Sequence, residues 1–190
     1  MDVHALHRRA AEKFAATVQQ IGDDQWALPT PCADWDVRAL VQHVVNEQRW
    51  VRPLADGATI EEVGTSLDGD LLGEDPKGAA RSAAAEAADA VDQRAPEAPI
   101  VHLSFGPTPL DEYAMQVTAD QLIHGWDLAA AIGTDRTMDP DLVAAVAPWF
   151  APQEEMWRSA GAIAARVDTA ADDPQADLLA AFGRDAGWSG

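Results

Sequence analysis

Two histidines sit in apolar stretches far apart in the chain. His43 lies in PTPCADWDVRALVQHVV (29–45), and His124 lies in ADQLIHGWDLAAAIG (119–133). Asp120 precedes His124 by four residues. On a helix that spacing stacks two side chains on one face, with Cβ atoms roughly 5–6 Å apart. If His43 faces the pair from a neighbouring helix, two imidazoles and one carboxylate converge. Such a set holds a divalent metal and leaves coordination positions open. These donors suit zinc, nickel and iron(II) alike; zinc is the expected ion, with nickel or iron as alternatives. An open position accepts water or a thiol, whose acidity the metal raises.

Each of these residues also has a plainer reading. His43 follows Leu40 and precedes Val44, so it borders the buried face of its helix. A lone histidine there is more often a hydrogen-bonded core residue than a ligand. Tyr113, Val117, Asp120, His124 and Leu128 trace one helical stripe. An aspartate in such a stripe is costly to bury unless paired or metal-bound. From spacing alone, ligation stays as open as the plainer alternatives, an Asp–His hydrogen bond or an aspartate facing water at a bundle end.

The neighbours of these residues carry further expectations. Glu47 is one turn beyond His43; it is a fourth ligand, an outer partner or solvated, and solvation is the expectation. Asp127 either orients His124 from outside or serves as a solvated or capping residue. Trp35, Trp50 and Trp126 are expected in core or wall positions, with the apolar side of a pocket as the alternative. Arg38 and Arg49 are expected at the surface rather than as carboxylate clamps. Cys32 has no adjacent cation that would activate it and reads as a buried structural thiol. His4, His7 and His102 are expected at the surface. There is no G-x-S-x-G, and Ser66, Ser82, Ser104 and Ser159 lie in settings that support no hydrolytic triad.

The elements that must position these residues read as helices. Residues 2–21 repeat Val3, Leu6, Ala10, Phe14, Val18 and Ile21 at helical spacing after an Asp2 cap. Pro29 and Pro31 bar helix over 28–34. Asp36 caps a helix over 37–55, stopped at Asp56-Gly57. Residues 57–75 are Gly- and Asp-rich and read as loop. An Ala-rich helix starts near Pro76 and runs to Arg94. IVHLSF (100–105), bracketed by prolines, is extended or loop. A helix over 110–132 ends at Gly133. Another runs from Pro140 to about Arg158, kinked at Pro148 and Pro152, and a short one covers 175–182. No strong strand alternation, internal repeat or phosphate-binding glycine motif appears. The expected fold is therefore all-α, an antiparallel four-helix bundle with additional C-terminal helices.

Composition narrows the function classes. With 190 residues, 32 acidic against 13 basic and a net charge of −19, clustered cations for nucleic acid or anionic membrane are missing. One cysteine excludes an intramolecular disulfide and a multi-thiolate zinc site. No apolar run approaches the roughly 20 residues of a membrane span, and the N-terminus lacks a signal-peptide core. The expectation is a single cytoplasmic domain over 1–190, with about 159–190 as an extension.

Three segments, PTPCADWDVRALVQHVV, DQLIHGWDLAAAIG and LLAAFGRDAGW (178–188), together resemble the N-terminal metal-binding domain of mycothiol-dependent maleylpyruvate isomerases, within the DinB-like superfamily. The resemblance is to a subgroup of short actinobacterial metal-binding proteins. It implies a four-helix bundle with a divalent metal between helices, held by His43, Asp120 and His124. The isomerase carries Glu where this chain has Asp120, and a C-terminal domain for which this chain lacks room.

The functional expectation is a divalent-metal protein, a thiol-dependent transferase or isomerase acting on an electrophilic small molecule. Its partners would be that substrate, a low-molecular-weight thiol such as mycothiol and, in a homodimer, a second copy of the chain. The alternative is a non-catalytic bundle that binds metal or a small ligand.

Overall fold

The computed structural model describes residues 2–169 and 172–190. Four long helices form the bundle: α1 (Val3–Val18), α2 (Val37–Ala55), α4 (Pro76–Arg94) and α5 (Leu110–Ile132). A one-turn helix, α3 (Ile60–Val63), interrupts the connection between α2 and α4. Beyond α5 come α6 (Pro140–Phe150), α7 (Glu154–Ser159) and α8 (Pro174–Ala181).

Local chemistry sets the helix ends. Asp2, Asp36, Asp75, Asp139 and Asp173 each cap a following helix by accepting a backbone N–H. Pro76, Pro140 and Pro174 open their helices, where a missing N–H costs nothing. α5 ends at Gly133, whose φ of 72° is left-handed. A Gly133→Ala variant is expected to lose about 1 kcal/mol, because a Cβ disfavours that conformation. Urea unfolding of the pair measures this; an unchanged midpoint would mean the cap does not constrain the helix.

Helix directions follow from cross-helix pairs. α1 and α4 are antiparallel: Arg8 binds Asp92 at 2.7 Å near one end, and Arg81 binds Gln19 at 3.2 Å near the other. α2 and α5 are also antiparallel, with His43 near Asp120 and Val51 and Leu54 packed among Leu110, Tyr113 and Ala114. The long 56–75 connection carries the chain back, so α4 runs alongside α2 in the same direction. α1 likewise runs with α5: His4 meets Asp111, and Phe14 lies over Gly125. The expected all-α bundle is present.

The core is built from Val and Leu on α2 facing Ala on α4. Ala80, Ala83, Ala87 and Ala90 are fully buried, so α4 packs closely, as its alanine content leads one to expect. A second cluster joins Leu6 and Ala10 of α1 and Leu122, Ile123 and Trp126 of α5 to Leu142, Val146, Phe150, Leu179 and Phe182. The C-terminal helices therefore share a core with the bundle.

Two expectations about the fold need correction. His7 is not at the surface: it is fully buried, and neither ring nitrogen has a hydrogen-bond partner. It lies on the row His7, Ala11, Phe14, Val18, all buried. The helix expected over 140–158 is broken. α6 stops at Phe150 and α7 restarts at Glu154, because Pro152 has no N–H for the Pro148 carbonyl. Pro148 itself stays within α6. The segment 100–105, expected as extended or loop, is extended: β1 (Ile100–Leu103) pairs with β2 (Gly106–Pro109) in a small antiparallel hairpin. Its strands are too short and proline-rich for alternation to show.

No helix among the described residues is long and apolar enough to cross a membrane.

Candidate metal centre

α2 and α5 bring the three residues together across their antiparallel contact. His43 Nε2 lies 3.1 Å from Asp120 Oδ1, and His124 Nε2 lies 3.4 Å from the same oxygen. One ligand atom from each residue falls within 4.8 Å of the others. The two imidazole centroids are 5.1 Å apart. Trp35 covers both, at 4.6 Å from His43 and 5.4 Å from His124. A folded loop puts it there. Thr30 Oγ1 donates to the Trp35 carbonyl at 2.9 Å and accepts from the Cys32 N–H, and the Val37 N–H donates to the Leu28 carbonyl.

Behind His124, Asp127 accepts from Nδ1 at 3.0 Å. Asp127 is fully buried and is itself held by Arg184, with Nε 3.0 Å from Oδ1 and Nη2 2.9 Å from Oδ2. Arg184 Nη1 donates to the Phe182 carbonyl at 3.0 Å. This fixes the imidazole. Nδ1 carries the proton toward Asp127, and Nε2 points at Asp120.

That arrangement requires a positive charge at its centre. With Nδ1–H committed to Asp127, the His124 Nε2 lone pair and the Asp120 carboxylate face each other. A proton or a cation must lie between them. In the metal-free protein it is a proton. Burial alone would lower His124, but the Asp120 and Asp127 carboxylates outweigh it and push His124 up to about 9. Burial would raise Asp120, yet the two imidazoles pull it well below the usual carboxylate range. Asp120 Oδ2 is buried and has no hydrogen-bond partner. Two nitrogens and a carboxylate, one of whose oxygens is orphaned, match the donor preferences of a divalent transition metal.

The trio opens onto a cavity of about 820 Å³. Glu47, Tyr113 and Gln116 line one side, Cys32 and Asp34 another. Trp157, Ile163 and Phe182 close it from the C-terminal segment. Gly183 makes that closure tight: a Cβ there would lie 2.7 Å from Ala164 Cβ. Glu47 is half-buried in the cavity wall rather than solvated. Burial and the nearby Asp120 raise its pKa against the pull of His43 and His124. Tyr113 is held above its ordinary value by burial, then by Glu47 and Asp120. Cys32 is likewise not a buried core thiol; it is half-buried at the cavity wall. Burial raises its pKa more than Arg184 lowers it, so it remains a thiol at neutral pH.

The other residues singled out lie elsewhere. Arg38 pairs with Asp70 at 3.0 Å and Arg49 pairs with Glu86, both away from the cavity. Trp126 is in the core with Leu122 and Ile123, and Trp50 packs half-buried against a separate cluster that includes Val51 and Leu54. His102 is exposed, and His4 is half-buried against Asp111. Sequence reasoning missed Arg184 as a partner of Asp127, since 57 residues separate them.

A family model described as the mycothiol maleylpyruvate isomerase N-terminal domain matches residues 7–129. The chain belongs to that family. The segment matched to the mycothiol maleylpyruvate isomerase N-terminal domain contains the whole trio, Asp127 and Trp35. Trp157, Ile163, Phe182 and Arg184 lie beyond it. Two uncharacterized proteins of Mycobacterium tuberculosis, one from strain CDC 1551 / Oshkosh and one from strain ATCC 25618 / H37Rv, are each 35% identical to this family member. Each alignment covers 96% of this chain and 97% of the relative. No solved structure matches the chain.

Proposed function

We propose that this protein binds a divalent metal through His43, Asp120 and His124 and uses a low-molecular-weight thiol to conjugate or isomerise an electrophilic small molecule. Zinc is the expected ion, with nickel or iron as alternatives, and mycothiol is the expected thiol. The observation that carries this reading is the convergence of three ligand atoms within 4.8 Å on the wall of a cavity of about 820 Å³.

A divalent ion held there supplies Lewis acidity that favours thiolate over thiol at neutral pH. The chain's own residues do the rest. Asp127 keeps the proton on His124 Nδ1 and leaves Nε2 free to ligate. Trp35 covers the two rings and keeps water from that side. Val117 and Ile123 add an apolar floor. Cys32, held as a thiol, is a poor nucleophile. The family's thiol then supplies the sulfur that the chain does not.

The test is elemental analysis of protein purified without chelator or affinity metal, beside His43→Ala and His124→Ala. About one equivalent of a single metal in the parent, lost in both variants, is the expected result. Thiol consumption with an electrophile should disappear in the same two variants. Full metal content or undiminished thiol-dependent turnover in both would sink the reading.

A further inference from the structure

We propose that the electrophile seated in this cavity has an uncharged aromatic body, held between Trp35, Trp157 and Phe182, and that polycarboxylates are rejected. The inference rests on the thiol-dependent reading above and names its substrate class.

Charge is the first observation. The described residues lining the cavity include three carboxylates, Asp34, Glu47 and Asp120, and a single Lys or Arg, Arg184. Arg184 is already committed: Nε and Nη2 hold Asp127, and Nη1 holds the Phe182 carbonyl. Its Nε–Nη2 edge is therefore taken by Asp127, and its charge is already matched by that buried carboxylate rather than left free to grip a substrate carboxylate. A divalent ion with Asp120 leaves one net positive charge, which the bound thiolate cancels. Each carboxylate of a polyanionic substrate would then enter a partly desolvated, acid-lined space without a partner.

The aromatic wall is the second observation. Trp157 sits edge-on to Phe150, centroids 5.6 Å apart, and Phe150 stacks on Phe182 at 3.9 Å. Trp157 and Phe182 are thus braced from behind, with their other surfaces on the cavity. Trp35 lines the same cavity from the loop before α2. Such a pair of walls suits a flat apolar ring. The volume falls within the usual range for ligand sites and accommodates an electrophile beside a thiol. Trp157 and Phe182 lie outside the segment that matches the family, so this selectivity is built by residues beyond it.

The experiment is equilibrium dialysis of zinc-loaded protein, with azide filling the metal's open position in place of the thiolate, against two unreactive probes, 4-phenylbutan-2-one and maleate. The ketone is expected to bind at least about tenfold more tightly. Trp157→Ala should weaken ketone binding by about tenfold with zinc content unchanged. Ile163→Arg, which adds a free cation to the same wall, should raise maleate affinity and lower that of the ketone. The second variant keeps the test valid if Trp157→Ala folds poorly. Maleate binding as tight as the ketone, or ketone affinity indifferent to both substitutions, overturns the proposal. Thiol consumption with trans-4-phenylbut-3-en-2-one is followed separately. Its absence would remove the thiol chemistry while the dialysis still decides what the cavity accepts.

Discussion

Replacing Arg184 with methionine is expected to lower the unfolding free energy by about 3–5 kcal/mol, the usual cost of breaking a buried ion pair from one side. Asp127 is fully buried, and the Arg184 side chain is 11% exposed. Methionine fills comparable volume but leaves the Asp127 carboxylate with His124 as its remaining partner. For a chain of this length, that corresponds to a melting temperature lower by roughly 6–20 °C. Metal affinity should fall by about 10–100-fold as well, because Asp127 would no longer be held where it orients His124. A structural role alone would move stability without moving metal affinity, so both are measured: urea unfolding of the metal-free protein and competition with a chromophoric chelator. Asp127→Asn separates the two effects further. It keeps an acceptor for Nδ1–H and removes the charge. A stability change under 0.5 kcal/mol in Arg184→Met would show that the pair is not the anchor described.

The second large effect concerns pH. His7 is buried with both ring nitrogens unpartnered. Burial, opposed by Asp92 across on α4 and aided slightly by Arg8 and His4 on its own helix, pushes its pKa down to about 4. The unfolded chain binds the proton near 6.5 and the folded chain only near 4. The unfolded state therefore holds more protons throughout that window. Stability is retained above about 6.5 and lost as pH falls toward 4. Between pH 7 and pH 5 the loss from this residue alone is about 2 kcal/mol. His7→Leu should abolish that share, so that parent and variant diverge on acidification. It should also raise stability at neutral pH by about 1–3 kcal/mol, since two orphaned polar atoms leave the core. Parallel unfolding curves of equal spacing from pH 7 to pH 5 would refute the assignment.

The sequence carried the bundle because its signals are local. Asp36, Asp75 and Asp139 cap helices, Pro76 and Pro140 open them, and Gly133 ends one. The Asp120–His124 spacing was also legible, but which helix face met His43 was not, since that depends on how α2 and α5 cross. His7 was misjudged because alanine gives α1 a weak contrast between faces. The buried row of His7, Ala11, Phe14 and Val18 was nonetheless visible at i, i+4, i+7 and i+11. The break before α7 turned on whether Pro148 or Pro152 interrupts the ladder, and proline alone does not decide that. Cys32, Glu47 and Arg184 face the cavity only because the C-terminal segment folds back over it, which no nearby residue announces.

That fold-back has a consequence for the order of events during synthesis. His43 meets Asp120 across 77 residues, and Asp127 meets Arg184 across another 57. Contacts so distant in sequence form late, after the loops between them have closed. A nascent chain that has emerged only through α5 holds the three ligands but not the guanidinium that steadies Asp127. On the proposed metal-binding reading, tight metal capture is thereby deferred until the residues around Arg184 have left the ribosome and docked.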